Sequence, residues 1–416
     1  MQEKKTLTFV VPAYNMTEYL ERCVMSLIAA KHNDDIEVLI VDDGSSDGTL
    51  ETAQKFEARY PGIVRAIHQE NRGHGGAVNT GIAAANGMYV KVVDADDWVG
   101  PEALEQVMAV LREEADSTEP IDMLVTNYVY DKVGKRNKHV VNFRHAMKAG
   151  ERLTWNDLGH FGLAEYILMH ALTYRTAVVR ESGMQLPEHT FYVDFIYAYQ
   201  PFPWVKTMKY LDTPFYHYFI GRDGQSVQTD VMIRRVDQLR LVNQCMVHAT
   251  PERDTVPDGL YRYMIHFLAI ESSVASVFMI LSRDPENYEK KKDMWDDIEA
   301  YSPTIYKDVR KKAMSRALNL RGSIGRFVIR KGYFVAEHVV GFNCPEPSDR
   351  RHLPYIWQMP LVTRWLRGYI LPPKSPCCQT RVLYISEMPR VISRNLPYIS
   401  IAKYGRKLTY GARMQS

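Results

Sequence analysis

Three carboxylates fall within four residues at the end of an apolar run in YVKVVDADDWVGP, Tyr89 to Pro101: Asp94, Asp96 and Asp97. Like charges this close repel, so such a cluster needs either solvent or a positive partner. On extended backbone Asp94 and Asp96 would point one way and Asp97 the other. Two hard carboxylates on one side suit Mg2+ or Mn2+, which prefer oxygen ligands and keep positions open for phosphate oxygens. A divalent ion bridging a diphosphate would neutralise a leaving group and let the acids tolerate one another. The plainer reading is a solvated acidic turn capping the helix after Pro101.

Two further clusters carry chemistry. VDDGSSDGT places Asp42 and Asp43 before a glycine turn, with Ser45 or Ser46 as the expected helix cap; a carboxylate there could accept from a base N–H or a ribose hydroxyl. NRGHGGAVNTG, Asn71 to Gly81, combines glycines that permit close backbone approach with the donors of Arg72 and His74. GHGGAV also approximates the dinucleotide fingerprint, with Asp94 about twenty residues on. That rival reading, a NAD(P)-dependent oxidoreductase, leaves Asp96, Asp97 and the VDDGSSDG turn unused.

These clusters need elements to hold them. LTFVVPAY lacks alternation and reads as a strand buried on both faces. MTEYLERCVMSLIAA reads as a helix with Leu20, Val24, Leu27 and Ile28 on one face and Thr17 or Asn15 as cap. EVLIVDD, a helix through Arg59, VRAIHQ, the helix GAVNTGIAAAN and MYVKVVDAD complete the alternation. Strand and helix at this spacing predict a mainly parallel sheet flanked by helices. Ligands bind such sheets beyond the carboxyl ends of the strands. PAYN, DDGSSD and DADD all lie there and would converge on one rim.

In this order and spacing FVVPAYN, VLIVDDGSSDGT, ENRGHGGAVNTGI and GMYVKVVDADDWV resemble the family 2 glycosyltransferases of the GT-A (Rossmann-like) fold. The match is close over Thr6 to Pro101 and looser to about Asp230. The resemblance implies transfer of a sugar from a nucleotide diphosphate donor, with inversion and a divalent metal, Mn2+ or Mg2+. It puts Pro12, Ala13 and Tyr14 around the base and ribose, and Asp43 with Asp42 on the uracil or ribose. Asn71, Arg72 and Gly73 would close the nucleotide pocket. Asp94 and Ala95 would line the donor, and Asp96, with Asp94, would hold the metal. The general base of the family sits about a hundred residues after the DxD, often in an ED pair. Here HTFYVDFIYAY offers Asp194, with Val193 in place of the Glu; Glu188 is the fallback.

Further along, IDMLVTNYVY and KHVVNF read as a hairpin, and KTMKYLD and FYHYFIG as two strands joined at TP. YHYFIGRDGQSV resembles a family segment near the donor, from which His217, Arg222 and Gln225 could reach the diphosphate. Thr229 to about Leu318 is helical in character, and FLAIESSVASVFMIL is interrupted by Glu271 and two serines, so a core helix is expected there. The expected divisions are a GT-A domain over 1–228, a helical region over 229–319 and a basic, aromatic-rich segment over 320–416. This last segment carries 16 basic against 4 acidic residues, +12, which leaves −9 for the rest of a chain whose net charge is +3. Its Tyr355, Trp357, Trp365 and Tyr369, interleaved with Arg364 and Arg367, suit an anionic membrane interface. Packing on the acidic body, oligomerisation or an anionic polymer acceptor remain open for it.

The five cysteines, Cys377–Cys378 included, show no metal or disulfide spacing, which fits a reducing compartment. MQEKKTLTFV has no apolar signal core, so a cytoplasmic location is expected, with peripheral attachment to the membrane left open. The expected partners are a nucleotide diphosphate sugar, UDP-linked by family frequency, and a cell-surface glycan, teichoic-acid-like or lipid-linked acceptor, with no nucleic acid. A protein that binds nucleotide sugars without turnover is the other alternative.

Overall fold

The computed structural model describes residues 5–132, 138–163, 165–220, 228–320 and 322–340. Its sheet is built from β1 (Leu7–Ala13), β2 (Ile36–Asp42), β3 (Val64–His68), β4 (Tyr89–Val92), β5 (Trp98–Val99), β6 (Met123–Lys132), β7 (His139–Val141), β8 (Arg152–Leu153), β9 (Leu172–Arg175) and β10 (Met208–Ile220). The strand order is β3-β2-β1-β4-β9-β6-β10-β5, with β7 on β6 and β8 on β10. The pairs β1–β2, β2–β3, β1–β4 and β6–β10 are parallel, while β9 lies antiparallel between β4 and β6. The mainly parallel sheet flanked by helices is therefore as the alternation predicted. Every residue of β1 and β2 is buried because helices cover both faces, and even Thr8 and Glu37 turn inward, the Thr8 hydroxyl donating to Glu37 Oε2 at 2.7 Å.

Between the strands run α1 (Thr17–Leu27), α2 (Thr49–Arg59), α3 (Gly73–Ala84), α4 (Pro101–Ala115), α5 (Thr176–Glu181) and α6 (Asp194–Tyr199). After the sheet come α7 (Thr229–Arg234), α8 (Val236–His248), α9 (Asp258–Leu281), α10 (Pro285–Tyr301), α11 (Pro303–Lys311), α12 (Ala313–Leu318) and α13 (Gly322–Val340). The hairpin expected after Glu119 is present, as β6 and β7. The two strands expected around Thr213–Pro214 are one: β10 pairs with β6 along its whole length, with register shifts on either side of Pro214. A proline cannot donate to the ladder, so the strand bulges there instead of ending.

The helix caps also differ from expectation. Met16 and Gly48 stand at the N-caps of α1 and α2, not Thr17 or Asn15 and not Ser45 or Ser46. Asp47 serves both ends: Oδ2 accepts from Thr17 N at 3.1 Å and Oδ1 from Thr49 N at 3.1 Å. One carboxylate placed by a tertiary turn satisfies two helix termini and locks the β1 and β2 rim loops together.

Helix α9 is long and apolar enough to cross a membrane, yet 78% of its most apolar window is buried within the protein. It is the core helix that its glutamate and serines implied. Glu271 lies fully buried there; Oε2 accepts from Asn243 Nδ2 at 2.5 Å and Oε1 has no partner. Burial pushes its carboxyl up to about 8, with the Asn243 hydrogen bond opposing. A carboxyl whose folded pKa lies above its unfolded value stabilises the fold while protonated, and that contribution drains away as pH rises from about 4.5 to 8. Glu271→Gln is therefore expected to gain about 1–3 kcal/mol over the native chain between about pH 5 and 8. Paired urea melts at the two pH values would test it, and a difference that stays constant with pH would sink it.

Candidate active site

The parallel register brings the strand ends to one rim. Asp43 N donates to Ala13 O at 2.9 Å, Gln69 N to Asp42 O at 3.0 Å and Val93 N to Val10 O at 2.9 Å. The clusters after β1, β2 and β4 therefore meet as predicted. Pro12 and Ala13 are buried in the rim wall, while the ring of Tyr14 is about half exposed above it.

At the β2 end both carboxylates are buried, with different surroundings. Asp42 Oδ2 lies 2.7 Å from His68 Nδ1, and its Oδ1 is buried with no partner. Asp43 Oδ1 accepts from Gln69 Nε2 at 2.6 Å and from Arg72 N at 2.9 Å. Asn71 Nδ2 donates to Asp43 O at 2.9 Å, so Asn71, Arg72 and Asp43 form one hydrogen-bonded unit. Gly73 has φ +75°, and a Cβ on it would meet His189 N at 2.7 Å. The glycines that allow close approach here serve the chain's own segment, since His189 N donates to Arg72 O at 2.9 Å and a Cβ on Gly75 would meet Pro187 O at 2.5 Å.

The DADD segment departs from its expected geometry. Strand β4 stops at Val92 and the chain turns, with Asp97 N donating to Asp94 O at 2.9 Å. Asp94 and Asp96 are thus not alternate residues of an extended strand. A turn instead brings its first and fourth residues together, and Asp94 and Asp97 approach each other. Among the described residues, one group of three metal-ligand side chains has its ligand atoms within 4.8 Å of one another: Asp94, Asp97 and His170. Asp96 is buried beside them and is not one of the three. Its carbonyl accepts from Arg22 at 2.7 Å, the guanidinium resting 3.9 Å from the centre of the Trp98 ring. Ala95 is buried within the turn.

Asp97 acts as a strut. Its Oδ2 accepts from the Tyr216 hydroxyl at 2.5 Å and its Oδ1 from Phe219 N at 2.7 Å. Burial, then Asp96 and Asp94, push its carboxyl well above the usual range. The residues fit a divalent cation. Three crowded acids gain from one, Asp94 keeps part of its carboxylate exposed, and the buried Nδ1 of His170 has no protein partner.

Across the rim, Asp194 opens α6, half-buried. Burial raises its pKa to about 6; Asp94 adds to the rise, while His74 and the helix-end backbone oppose it. His74 Nε2 sits 2.8 Å from Asp94 Oδ1. Burial pulls the His74 imidazole toward neutrality, but Asp94, Asp194 and Asp96 outweigh it, so its pKa is raised. His74 thus lies electrostatically between the acid of the turn and Asp194. Glu188 is paired with Arg72, whose Nε donates at 2.8 Å, and that pairing lowers the Glu188 pKa. A base suited to neutral pH needs a pKa near it, which favours Asp194 over Glu188.

His217 faces Asp131 at 3.3 Å and stacks on Trp98 with ring centres 5.3 Å apart. Arg222 and Gln225 lie outside the described residues, as does the basic segment beyond residue 340. Sequence reasoning passed over Arg22, Lys91, His170 and Tyr216. Lys91 alone had left a signal, a charge in the middle of the otherwise apolar YVKVV. It is fully buried, donating to His170 O at 2.8 Å and Leu172 O at 3.0 Å, and burial lowers its pKa to about 7.

Comparison with known proteins places these residues in a wider setting. The sequence profile of Glycosyl transferase family 2 matches residues 8–165. A protein named as a glycosyltransferase, EpsH of Bacillus subtilis (strain 168), is 28% identical over 237 residues, covering 52% of this chain and 62% of EpsH. The chondroitin synthase of Escherichia coli is 39% identical over 108 residues, 26% of this chain and 16% of that enzyme. The chain thus spans less than two thirds of the length of either relative. Among solved structures, residues 1–349 of S. aureus TarS superpose with a TM-score of 0.57 at 18% identity, over 82% of this chain and 98% of that one. The same TarS fragment in complex with UDP gives a TM-score of 0.53 at 17% identity, over 79% and 91%.

Proposed function

We propose that this chain, whose residues 8–165 match the profile of Glycosyl transferase family 2 and whose sheet has the GT-A fold, transfers a sugar from a nucleotide diphosphate donor with inversion. The observation that carries the reading is Asp194, its pKa raised to about 6, set at the rim where Asp43 and the Asp94–Asp97 turn gather. Asp43, with Asn71 and the Arg72 backbone, borders the nucleoside. Asp94, with Asp96 as the sequence resemblance implies, would hold a divalent cation, Mn2+ or Mg2+. When bound, it supplies positive charge to the donor diphosphate. Asp194 takes the proton from the acceptor hydroxyl as that oxygen attacks the anomeric carbon, and the bond from that carbon to the diphosphate breaks, the nucleoside diphosphate leaving with the electron pair. Arg72, held by Glu188, closes the nucleotide side.

UDP is the favoured carrier because TarS structures of this fold were solved with UDP and UDP-GlcNAc. A hexose or N-acetylhexosamine passes to a cell-surface polysaccharide, teichoic-acid-like or lipid-linked acceptor. The basic segment past residue 340 would hold the protein at the cytoplasmic face of the membrane. Calorimetric titration with UDP, GDP, dTDP and NAD+, with and without Mn2+, tests the donor class. Binding of one nucleoside diphosphate that needs both the metal and Asp96, lost in Asp96→Ala, is the expected result. Metal-independent binding of NAD+, or no nucleotide binding, would overturn it.

A further inference from the structure

His170 is buried to 94% in the short turn Met169–Ala171, just before β9. Strand β9 runs antiparallel to β4, pairing Tyr89 with Arg175 and Val90 with Tyr174. That register, continued, sets His170 beside Asp94, which is why an imidazole distant in sequence arrives under the acidic turn. One of its ring nitrogens lies within 4.8 Å of carboxylate oxygens of Asp94 and Asp97.

The ring is held from several sides. Lys91 Nζ fixes the His170 carbonyl at 2.8 Å, and the rings of Tyr216 and Tyr218 stand 4.8 and 4.7 Å away, with Tyr128 at 5.4 Å. Within this close packing Nδ1 is buried and makes no hydrogen bond to the protein. A buried polar nitrogen without a partner is costly, and native proteins rarely leave one idle. Asp97 is not that partner: its oxygens accept from Tyr216 and Phe219, and no hydrogen bond joins it to His170 Nδ1.

We propose that His170 supplies a nitrogen ligand to the cation at the Asp94–Asp97 turn, so that the site prefers Mn2+ or Co2+ to Mg2+. This rests on the metal-dependent reading above and adds a residue to it. Oxygen donors alone suit Mg2+ and Mn2+ alike, whereas an imidazole favours the transition metal. Asp97 orients the turn, Asp94 supplies oxygen beside it, and His170 enters from beneath.

The test is pulsed electron paramagnetic resonance on the full chain loaded with Mn2+, together with calorimetry of Mn2+ and Mg2+ binding. Nitrogen coupling to Mn2+ is expected in the native chain, retained in His74→Gln and lost in His170→Gln. The Mn2+ over Mg2+ preference should fall about tenfold in His170→Gln. Bound Mn2+ without nitrogen coupling, or coupling that survives His170→Gln, overturns the proposal. Should His170→Gln fail to fold, the His74→Gln spectrum decides: retained coupling supports His170, and lost coupling assigns the nitrogen to His74 and overturns it. Metal-dependent nucleotide binding with no nitrogen signal refutes the His170 ligand alone. Failure of Mn2+ to bind at all refutes both readings.

Discussion

Asp194→Asn is expected to cut kcat about 10²–10⁴-fold while donor binding and thermal stability stay close to native. The amide keeps the size of the side chain and its place at the start of α6 but cannot accept the acceptor proton. The native rate should rise with pH through about 6 and then level, because the base works only when deprotonated. Burial is the main reason the group titrates there, and Asp94 adds to the rise. A cation on Asp94 removes part of that repulsion, so the inflection of the metal-loaded enzyme should lie at or below about 6. Glu188→Gln should leave kcat within a few-fold, since that carboxylate is engaged by Arg72, whose hydrogen bond lowers its pKa. Single-turnover kinetics with each variant separates the two acids. An Asp194→Asn enzyme retaining a tenth of native kcat would mean that the base lies elsewhere.

The second large effect separates two adjacent aspartates by the way they fail. Asp97→Ala is expected to lose about 2–4 kcal/mol of stability, because the Tyr216 hydroxyl and Phe219 N lose their acceptor inside the protein. Relief of repulsion from Asp94 and Asp96 offsets part of that cost. Asp96→Ala should cost less stability than Asp97→Ala and lose metal-dependent donor binding. Its neighbours would repel less, and Arg22 grips its backbone carbonyl, which alanine keeps. Urea melts with nucleotide titrations on both variants make the comparison. A stable Asp97→Ala, or an Asp96→Ala that still binds donor with metal, would reverse these roles.

What could be read along the chain was whatever depends on near neighbours. The mainly apolar runs of β1 and β2, the helices between them and the parallel sheet follow from burial on both faces. Once strands of one direction lie side by side, their polar ends share a rim, where Asp43, Asn71 and Arg72 form one hydrogen-bonded unit and His74, two residues on, reaches Asp94. Asp194 was legible only through the family resemblance; nothing local marks it, and its raised pKa comes from packing.

Folding decided the rest, for reasons of distance. The turn from Asp94 to Asp97 replaced strand alternation with a pairing of first and fourth residues, so the acid beside Asp94 is Asp97. Asp47 took over helix ends that Thr17, Asn15 and the serines had been expected to cap, because a carboxylate can reach a helix from a neighbouring loop. Strand β10 continued through Pro214 because β6 supplies partners on both sides of the bulge. His170 meets Asp94 only because β9 inserts antiparallel beside β4, a choice that no residue near either position encodes. Spacing along a chain determines which side chains share a face over a few residues. Which faces then meet is settled by the order of strands in the sheet, through the burial of surfaces far apart in sequence.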